Sequence, residues 1–420
     1  MNTRPGKTLA EYEKQVYEIC CIGIAGSLIF WPLASSLLSI ILSAWWFFLT
    51  WPKTSSPRTR WLVFLFSAFY ILVLAGTFYS ANRAEALFKV QQQSALFVFP
   101  LIFGFSRVIT DSSFRRILKS FAVFTVLGCS TCLIYGAYAW MRTGSTTHLY
   151  GYEMVILKDM SPFVLGFFCL VSISFLMHQY YRKDYIWNEK KFSSIILILF
   201  LTLFLLLLGN RNVLFGWLTI MAFFWLKMIR SKAARILLPG AAIVCLSLAI
   251  AFNPSLRAQW NDLVDTSANN TIALDEDKSL GRSWGGKSIR LAIWKCSKDI
   301  ITDHWLTGVG TGDVQDSLQA AYEKRKFFFA SRYNRYNAHN QYVQVTIAYG
   351  IIGFLVLACA LLIPLGIAVR NNDPLYALFL ICFIFICITE STLELSKGVI
   401  AYSFFNALFA FTKRKKLSDE

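Results

Sequence analysis

Long stretches without a charged residue dominate this sequence. Five of them run over Ile19–Trp51, Ser120–Met141, Phe192–Asn210, Ile236–Phe252 and Gln341–Val369. Most are long enough to cross the roughly 30 Å hydrocarbon core of a bilayer as a helix. They are apolar throughout, which excludes the alternating pattern of a membrane β-barrel. Only 15% of the residues are charged, against about a quarter in soluble proteins. The sequence therefore predicts an all-α polytopic membrane protein.

The apolar runs give about twelve predicted spans, centred near residues 25, 43, 70, 99, 129, 170, 201, 220, 244, 355, 382 and 405. The stretch Ile19–Trp51 is too long for one upright span, and Pro32 favours a hairpin of two short helices over a single span. The predicted organisation is nine helices over residues 1–252, a large loop over 253–340, three helices over 341–412 and a basic tail over 413–420.

The basic residues predict the orientation. With the amino terminus inside, the cytoplasmic segments hold 23 of the 41 Lys and Arg residues, and the short outer loops hold six. The large outer loop holds the other twelve together with ten acidic residues. The net charge of +17 is thus mainly a topology signal and gives no argument for nucleic-acid binding. Any chemistry is expected on the outer face, where the loop is large enough to form a site.

A histidine follows the loop directly. If the next helix begins at His339, steps of 100° per residue place Thr346, Gly350 and Gly353 on the same face as the imidazole. Such a face would present a proton acceptor at the membrane surface above small residues. The alternative is an interfacial histidine above ordinary helix-packing glycines.

Two arginines are the other candidates. Arg211 is the only charge between Phe192 and Leu226, which must fold as a hairpin at residues 210–212. Arg290 lies in a predicted amphipathic helix whose apolar side carries Ile289, Ile293, Cys296 and Ile300, with Trp294 on the stripe that also holds Arg290. Guanidinium groups suit diphosphate oxygens through paired hydrogen bonds. Snorkelling of Arg211 and a helix lying on the membrane surface remain the alternatives.

These residues resemble a known family. His339-Asn340, nine residues and Gly350-Ile351-Ile352-Gly353 resemble the H-[NSQ]-x9-G-x-x-[GTY] pattern of bacterial O-antigen ligases. Those enzymes transfer O-antigen polysaccharide from undecaprenyl diphosphate to lipid A-core. Residues 208–214, 288–294 and the glycine-rich 308–312 are similar to further segments of that family. The windows cover under a fifth of the chain, and the rest agrees in topology, which O-antigen polymerases share.

The resemblance implies an inverting, lipid-diphosphate-dependent glycosyltransferase with a GT-C-like helical architecture, acting on the periplasmic face of the bacterial inner membrane. It implies His339 as the general base, Arg211 and Arg290 as ligands of the diphosphate, and Asn340 as a positioning residue. Trp294, Gly350 and Gly353 complete the implied substrate-binding set. The implied partners are the undecaprenyl diphosphate-linked donor, the lipid A-core acceptor and membrane lipids.

The resemblance implies no cofactor and no metal. Asp275-Glu276-Asp277 matches a bare D-x-D motif, and we interpret it as a solvated charge run.

Two other functions stay open at this point. A polysaccharide polymerase would use the same donor with a second lipid-linked glycan as acceptor. A transporter or flippase is the alternative from another class. The spans contain almost no acids, and Glu390 and Glu394 lie at the outer end of theirs, whereas ion coupling usually needs carboxylates near the midplane.

Overall fold

The structure, a computed structural model, describes residues 9–50, 55–106, 108–182, 191–228, 251–264 and 286–412, with single positions at 240, 244 and 247. Its described part is helical, with no β-strand. Six of its helical segments are long and apolar enough to cross a membrane: 32–49, 57–79, 83–106, 111–143, 162–181 and 341–370. The prediction of an all-α polytopic membrane protein is confirmed. The number twelve stays a prediction, as does the GT-C-like architecture.

The described residues of the amino-terminal half form eight α-helices. They are α1 (Leu9–Phe30), α2 (Pro32–Leu49), α3 (Pro57–Tyr79), α4 (Arg83–Gln93), α5 (Ala95–Ser106), α6 (Asp111–Thr143), the short α7 (Gly151–Met154) and α8 (Pro162–Tyr181). The chain breaks at Trp31, with Pro32 as the first residue of α2, and α1 packs against α2. The hydroxyls of Tyr17 and Thr50 hydrogen-bond at 2.9 Å, so the two helices form the hairpin that Pro32 predicts.

The second half begins with α9 (Lys191–Leu208) and α10 (Arg211–Met228). The loop region contributes α11 (Pro254–Val264), α12 (Gly286–Asp303) and α13 (Val314–Lys324), followed by a π-helical turn over Phe329–Asn334. The chain ends with α14 (Gln341–Arg370), α15 (Pro374–Cys387) and α16 (Ser396–Phe411). The predicted basic tail and the predicted span near residue 244 lie outside the continuous described segments.

The core of the bundle is aromatic. Helix α8 is buried over most of its length, as expected for a helix that is apolar on every face. Phe121 of α6 packs edge-on against Phe168 of α8 and Phe405 of α16, at ring distances of 5.4 and 4.7 Å. Helix α15 packs against α8, α10 and α14. This packing fixes the carboxyl-terminal end of α15, where the candidate site lies.

Candidate active site

The candidate site centres on Glu390, just beyond the carboxyl-terminal end of α15. One carboxylate oxygen accepts a hydrogen bond from Nη2 of Arg290 at 3.0 Å. The other lies 3.5 Å from Nδ1 of His339. The three side chains are only 15–25% exposed. A single acid thus joins two residues that the sequence proposes separately, across the gap between α12 and α14.

Helix α12 positions Arg290. Its predicted amphipathic character is confirmed, since Ile293, Cys296 and Ile300 are buried and Arg290 lies on the adjacent stripe. The guanidinium also donates to the carbonyl oxygens of Thr389 at 3.2 Å and Gly286 at 2.9 Å. Three of its five N–H donors are therefore occupied by described residues. The group is held rigidly and keeps two donors for an anion.

The hairpin between α9 and α10 brings the amino terminus of α10, which begins at Arg211, to Thr389. Gly209 adopts a left-handed φ of 63°, and the Asn210 side chain caps α10 by accepting from the backbone N–H groups of Asn212 and Val213. Arg211 is the half-buried first residue of α10. The Asn212 amide donates to the Thr389 hydroxyl at 2.6 Å. Since Thr389 also accepts from Arg290, the α10 amino terminus and α12 meet at Thr389-Glu390.

His339 lies outside the helix that follows it. Its φ is 43°, in the left-handed region that is costly for a residue with a side chain. The Asn337 side chain accepts its backbone N–H at 2.9 Å, and the Tyr336 ring lies 5.4 Å from the imidazole. Trp294 of α12 donates from Nε1 to the Ala338 carbonyl at 2.9 Å. These contacts hold the backbone in the strained conformation that turns Nδ1 towards Glu390.

Tyr152 of α7 lies at the rim of the site. The surrounding protein and then the Glu390 carboxylate raise the pKa of Tyr152, whereas Arg290 lowers it. The phenol thus responds to the charges of Glu390 and Arg290, and 67% of its side chain is open to water. The Tyr152 ring is therefore an exposed aromatic group at the edge of the site.

Residues 195–358 match the model of the O-Antigen ligase family. The chain contains an O-antigen ligase family domain. The matched segment includes Arg211, Arg290 and His339 and ends before Glu390. No curated protein matches the chain.

The match to the O-antigen ligase family model supports the coarser part of the predicted function. The family includes O-antigen ligases and related polymerases, so the protein is a membrane enzyme of the glycosyl-transfer type. Its partners are lipid-linked polysaccharide and a lipid acceptor in the membrane.

Contrary to the prediction from the sequence, the glycines of the family pattern do not lie on one continuous helix with His339. Helix α14 begins at Gln341, with Asn340 as its cap, and Gly350 interrupts it with φ 61° and ψ −155°. The predicted face shared by His339, Gly350 and Gly353 is therefore wrong, because the 100° arithmetic assumes one unbroken helix from His339 onward. Asn340 accepts from the N–H groups of Tyr342 and Val343, so its side-chain oxygen is engaged in capping.

The break at Gly350 receives the glycine-rich turn of the O-antigen ligase domain. The Ile351 N–H donates to the Trp305 carbonyl, and the N–H groups of Val309 and Gly310 donate to carbonyls of Ile347 and Ala348, all at 2.8–2.9 Å. A Cβ on Gly350 would lie 2.3 Å from the Leu306 carbonyl group. Gly350 and Gly353 are both buried. The structure thus gives Gly350 a role in packing this turn, and substrate binding by Gly350 and Gly353 stays a prediction.

Glu390 is the residue that sequence reasoning missed. It entered the sequence argument only against a transporter, as an acid at the end of a span. Its position was a usable signal, since it is an acid on the same predicted face as Arg211, Arg290 and His339. The metal-independent reaction stays a prediction, because Asp275 and Asp277 lie outside the described residues. Within the described ranges, no group of three or more His, Cys, Asp or Glu residues could hold a metal ion.

Proposed function

We propose that the protein is an O-antigen ligase that transfers O-antigen polysaccharide from undecaprenyl diphosphate to a sugar hydroxyl of lipid A-core. One observation supports this most strongly: Arg290, His339 and the residue after Arg211 all contact Thr389-Glu390 at one end of the bundle. A transferase with a diphosphate leaving group needs cations for the departing charge and a base for the acceptor. The site brings candidates for both roles to Thr389-Glu390.

The proposed reaction is a single inverting displacement. Glu390 faces Nδ1 of His339, which favours the proton on Nδ1 and a free lone pair on Nε2. Nε2 takes the acceptor hydroxyl proton while that oxygen bonds to the anomeric carbon of the donor. The bond from this carbon to the diphosphate oxygen breaks, and its electron pair leaves with undecaprenyl diphosphate. Arg211 and Arg290 bind the departing diphosphate, whose charge rises as the bond breaks.

The positioning of the base extends the proposal to two further residues. Trp294 holds the Ala338 carbonyl, so it orients the histidine through the backbone. Asn340 starts α14 immediately after His339. We assign both residues to positioning of His339. The donor and acceptor glycans would enter along the exposed side near Tyr152, where an aromatic ring can stack on a sugar.

The deciding experiment is transfer by the purified protein, with lipid-linked O-antigen as donor and two acceptors in separate reactions. Lipid A-core as the only productive acceptor is the expected result. Extension of a second lipid-linked glycan instead would identify a polymerase. Activity should persist in EDTA without any nucleotide, whereas loss on chelation with rescue by a divalent ion would contradict the proposed chemistry.

Variants test the roles at equal expression. Arg211→Ala and Arg290→Ala should abolish transfer, and the Lys replacements should recover part of it, because they keep the charge and lose the paired donors. Arg142 is an exposed arginine near the end of α6, on the proposed outer side. Arg142→Ala is therefore the matched control and should leave the transfer activity unchanged. Normal activity in Arg211→Ala or Arg290→Ala would reassign that arginine to anchoring at the interface.

A histidine pair separates catalysis from binding. His339→Ala should lose turnover and still bind the lipid-linked donor. His304 is an exposed histidine in a turn, and His304→Ala should keep the turnover and the donor binding of the native protein. Loss of donor binding in His339→Ala would make the histidine a phosphate ligand and leave the base unidentified.

The periplasmic location of the site is part of the same proposal. It rests on the distribution of Lys and Arg. Reporter fusions should place Arg370 in the cytoplasm and Arg325 in the periplasm. A cytoplasmic signal at Arg325 would remove the periplasmic assignment.

A further inference from the structure

A large cavity lies at the opposite end of α15 from Glu390. Its volume is about 1000 Å³, at the upper end of the range for ligand pockets. It includes the first residues of α15, Pro374 to Tyr376. Glu390 follows the other end of this 14-residue helix, about 21 Å away along its axis. We call this space the inner cavity, and it is separate from the candidate active site.

The walls of the inner cavity change from charged to apolar with depth. Along α3, the lining residues Arg58, Leu62 and Phe66 follow one another at i, i+4 and i+8, so they lie one above another on one face. Leu62 and Phe66 are buried, whereas Arg58 is exposed.

Helix α8 repeats the same order. Arg182, its half-buried C-cap, is followed inward by His178 and Phe175, both of which line the cavity and are buried. Two helices thus place a cation at the entrance and an aromatic ring about two turns deeper. This order matches an amphiphile whose charged end stays near the surface.

The charges at the entrance favour an anion. Arg115 also lines the cavity, but it pairs with Asp111 at 2.9 Å. The Asp373 carboxylate caps α15 by accepting from the Tyr376 N–H. In the part of the chain that the structure describes, neither Arg58 nor Arg182 has an ion-pair partner. The cavity is thus lined by three arginines and two aspartates, and two of the guanidinium groups have no ion-pair partner among the described residues.

We propose that the inner cavity binds an acidic glycerophospholipid of the adjacent membrane leaflet. Arg58 and Arg182 bind the phosphate group of the lipid. The parts of the acyl chains nearest the headgroup lie against Leu62, Phe66 and Phe175. Basic pockets between membrane helices bind anionic headgroups in this way. A free phosphate would leave the aromatic wall in contact with water, which the apolar depth of the cavity disfavours. The leaflet is the cytoplasmic one if the proposed orientation is correct, whereas the binding itself depends on no catalytic residue.

Native mass spectrometry of the purified full-length protein tests this proposal. The protein is mixed with phosphatidylglycerol and phosphatidylcholine of identical acyl chains, and the ratio of bound lipids is measured. The native protein should prefer phosphatidylglycerol. Each arginine near a phosphate contributes about fivefold, so Arg58→Gln with Arg182→Gln should lower the preference by about 25-fold. Arg60→Gln changes a nearby arginine of α3 that does not line the cavity, and it should leave the ratio unchanged.

Three results would overturn the proposal. The first is an unchanged lipid ratio in the double variant, and the second is an equal loss in Arg60→Gln. The third is displacement of bound phosphatidylglycerol by millimolar inorganic phosphate, which would identify a site for a soluble anion. Leu62→Trp adds an independent check, since filling the apolar depth should lower retention of both lipids while circular dichroism stays unchanged. None of these measurements uses the glycan donor, so failure of the proposed ligase activity would leave their outcome intact.

Discussion

Glu390→Gln is the sharpest perturbation of the candidate site. The change keeps the size of the side chain and removes its charge. A glutamine can still accept from Arg290, but its amide nitrogen would donate to Nδ1 of His339. That contact favours the tautomer with its proton on Nε2, where it cannot act as the base. The variant therefore tests whether the carboxylate orients the histidine.

The expected loss follows from the geometry. When His339 takes the acceptor proton, a positive imidazolium forms 3.5 Å from a Glu390 oxygen. Two unit charges about 4 Å apart interact by about 4 kcal/mol at an effective dielectric of 20. Water reaches these side chains, which are 17–25% exposed, and reduces this to about 2–3 kcal/mol. We expect kcat to fall by about 100-fold. Donor KM should stay the same or fall, because Arg290 loses its carboxylate partner and keeps its charge.

The assay is steady-state transfer with purified protein at saturating acceptor. Glu394→Gln is the matched control, because Glu394 has similar exposure but pairs with Lys89 at 2.7 Å, and its kcat should stay within about threefold of native. The double variant His339→Ala with Glu390→Gln should be no slower than His339→Ala alone, since the two residues act as a unit. A native-like kcat in Glu390→Gln, or additive losses in the double variant, would refute the argument.

Three further predictions concern the scaffold. Gly350→Ala should destabilise the protein by about 2 kcal/mol or more in thermal unfolding, because its Cβ would meet the docked loop at φ 61°; Gly366→Ala, in open space, should not. Arg325 hydrogen-bonds Asp299 and lowers the pKa of that carboxyl, so the stability from this pair is present at neutral pH and lost as pH falls through the lowered pKa. Asp299→Asn should cost about 0.2–1 kcal/mol at pH 7, and this difference should vanish in acid. Burial raises the pKa of Cys296 to about 12, so a maleimide should label Cys296 at pH 7 only after unfolding, and labelling of the folded protein would contradict its burial.

Local chemistry in the sequence was enough to predict several elements. A charge alone in an apolar stretch predicts the turn at Arg211, since a charged residue cannot lie deep in the bilayer without cost. The period of Ile289, Ile293 and Cys296 predicts the buried face of α12, because side chains at this spacing share one side of any helix. Both predictions use neighbours in sequence only.

Long-range pairing was beyond the same reasoning. Arg290 and Glu390 are separated by 100 residues, and nothing in the spacing of either residue points to the other. The break at Gly350 was missed for a related reason. A glycine in an apolar run usually indicates close packing of helices. The φ of 61° at Gly350 is instead required by a loop formed by residues 305–310.

The separation of His339 and Gly350 follows from these contacts. His339 directly precedes the cap of α14, and Gly350 ends the first segment of that helix. The turn that docks at the break continues from α12, the helix that carries Arg290. The helix segment between the cap and the break therefore sets how far the docked turn lies from the histidine. An inserted residue in this segment would rotate the break by about 100° and displace the turn while leaving every candidate catalytic residue in the chain. The spacing in the family pattern is thus a requirement of the scaffold that brings Arg290 and His339 to the same carboxylate.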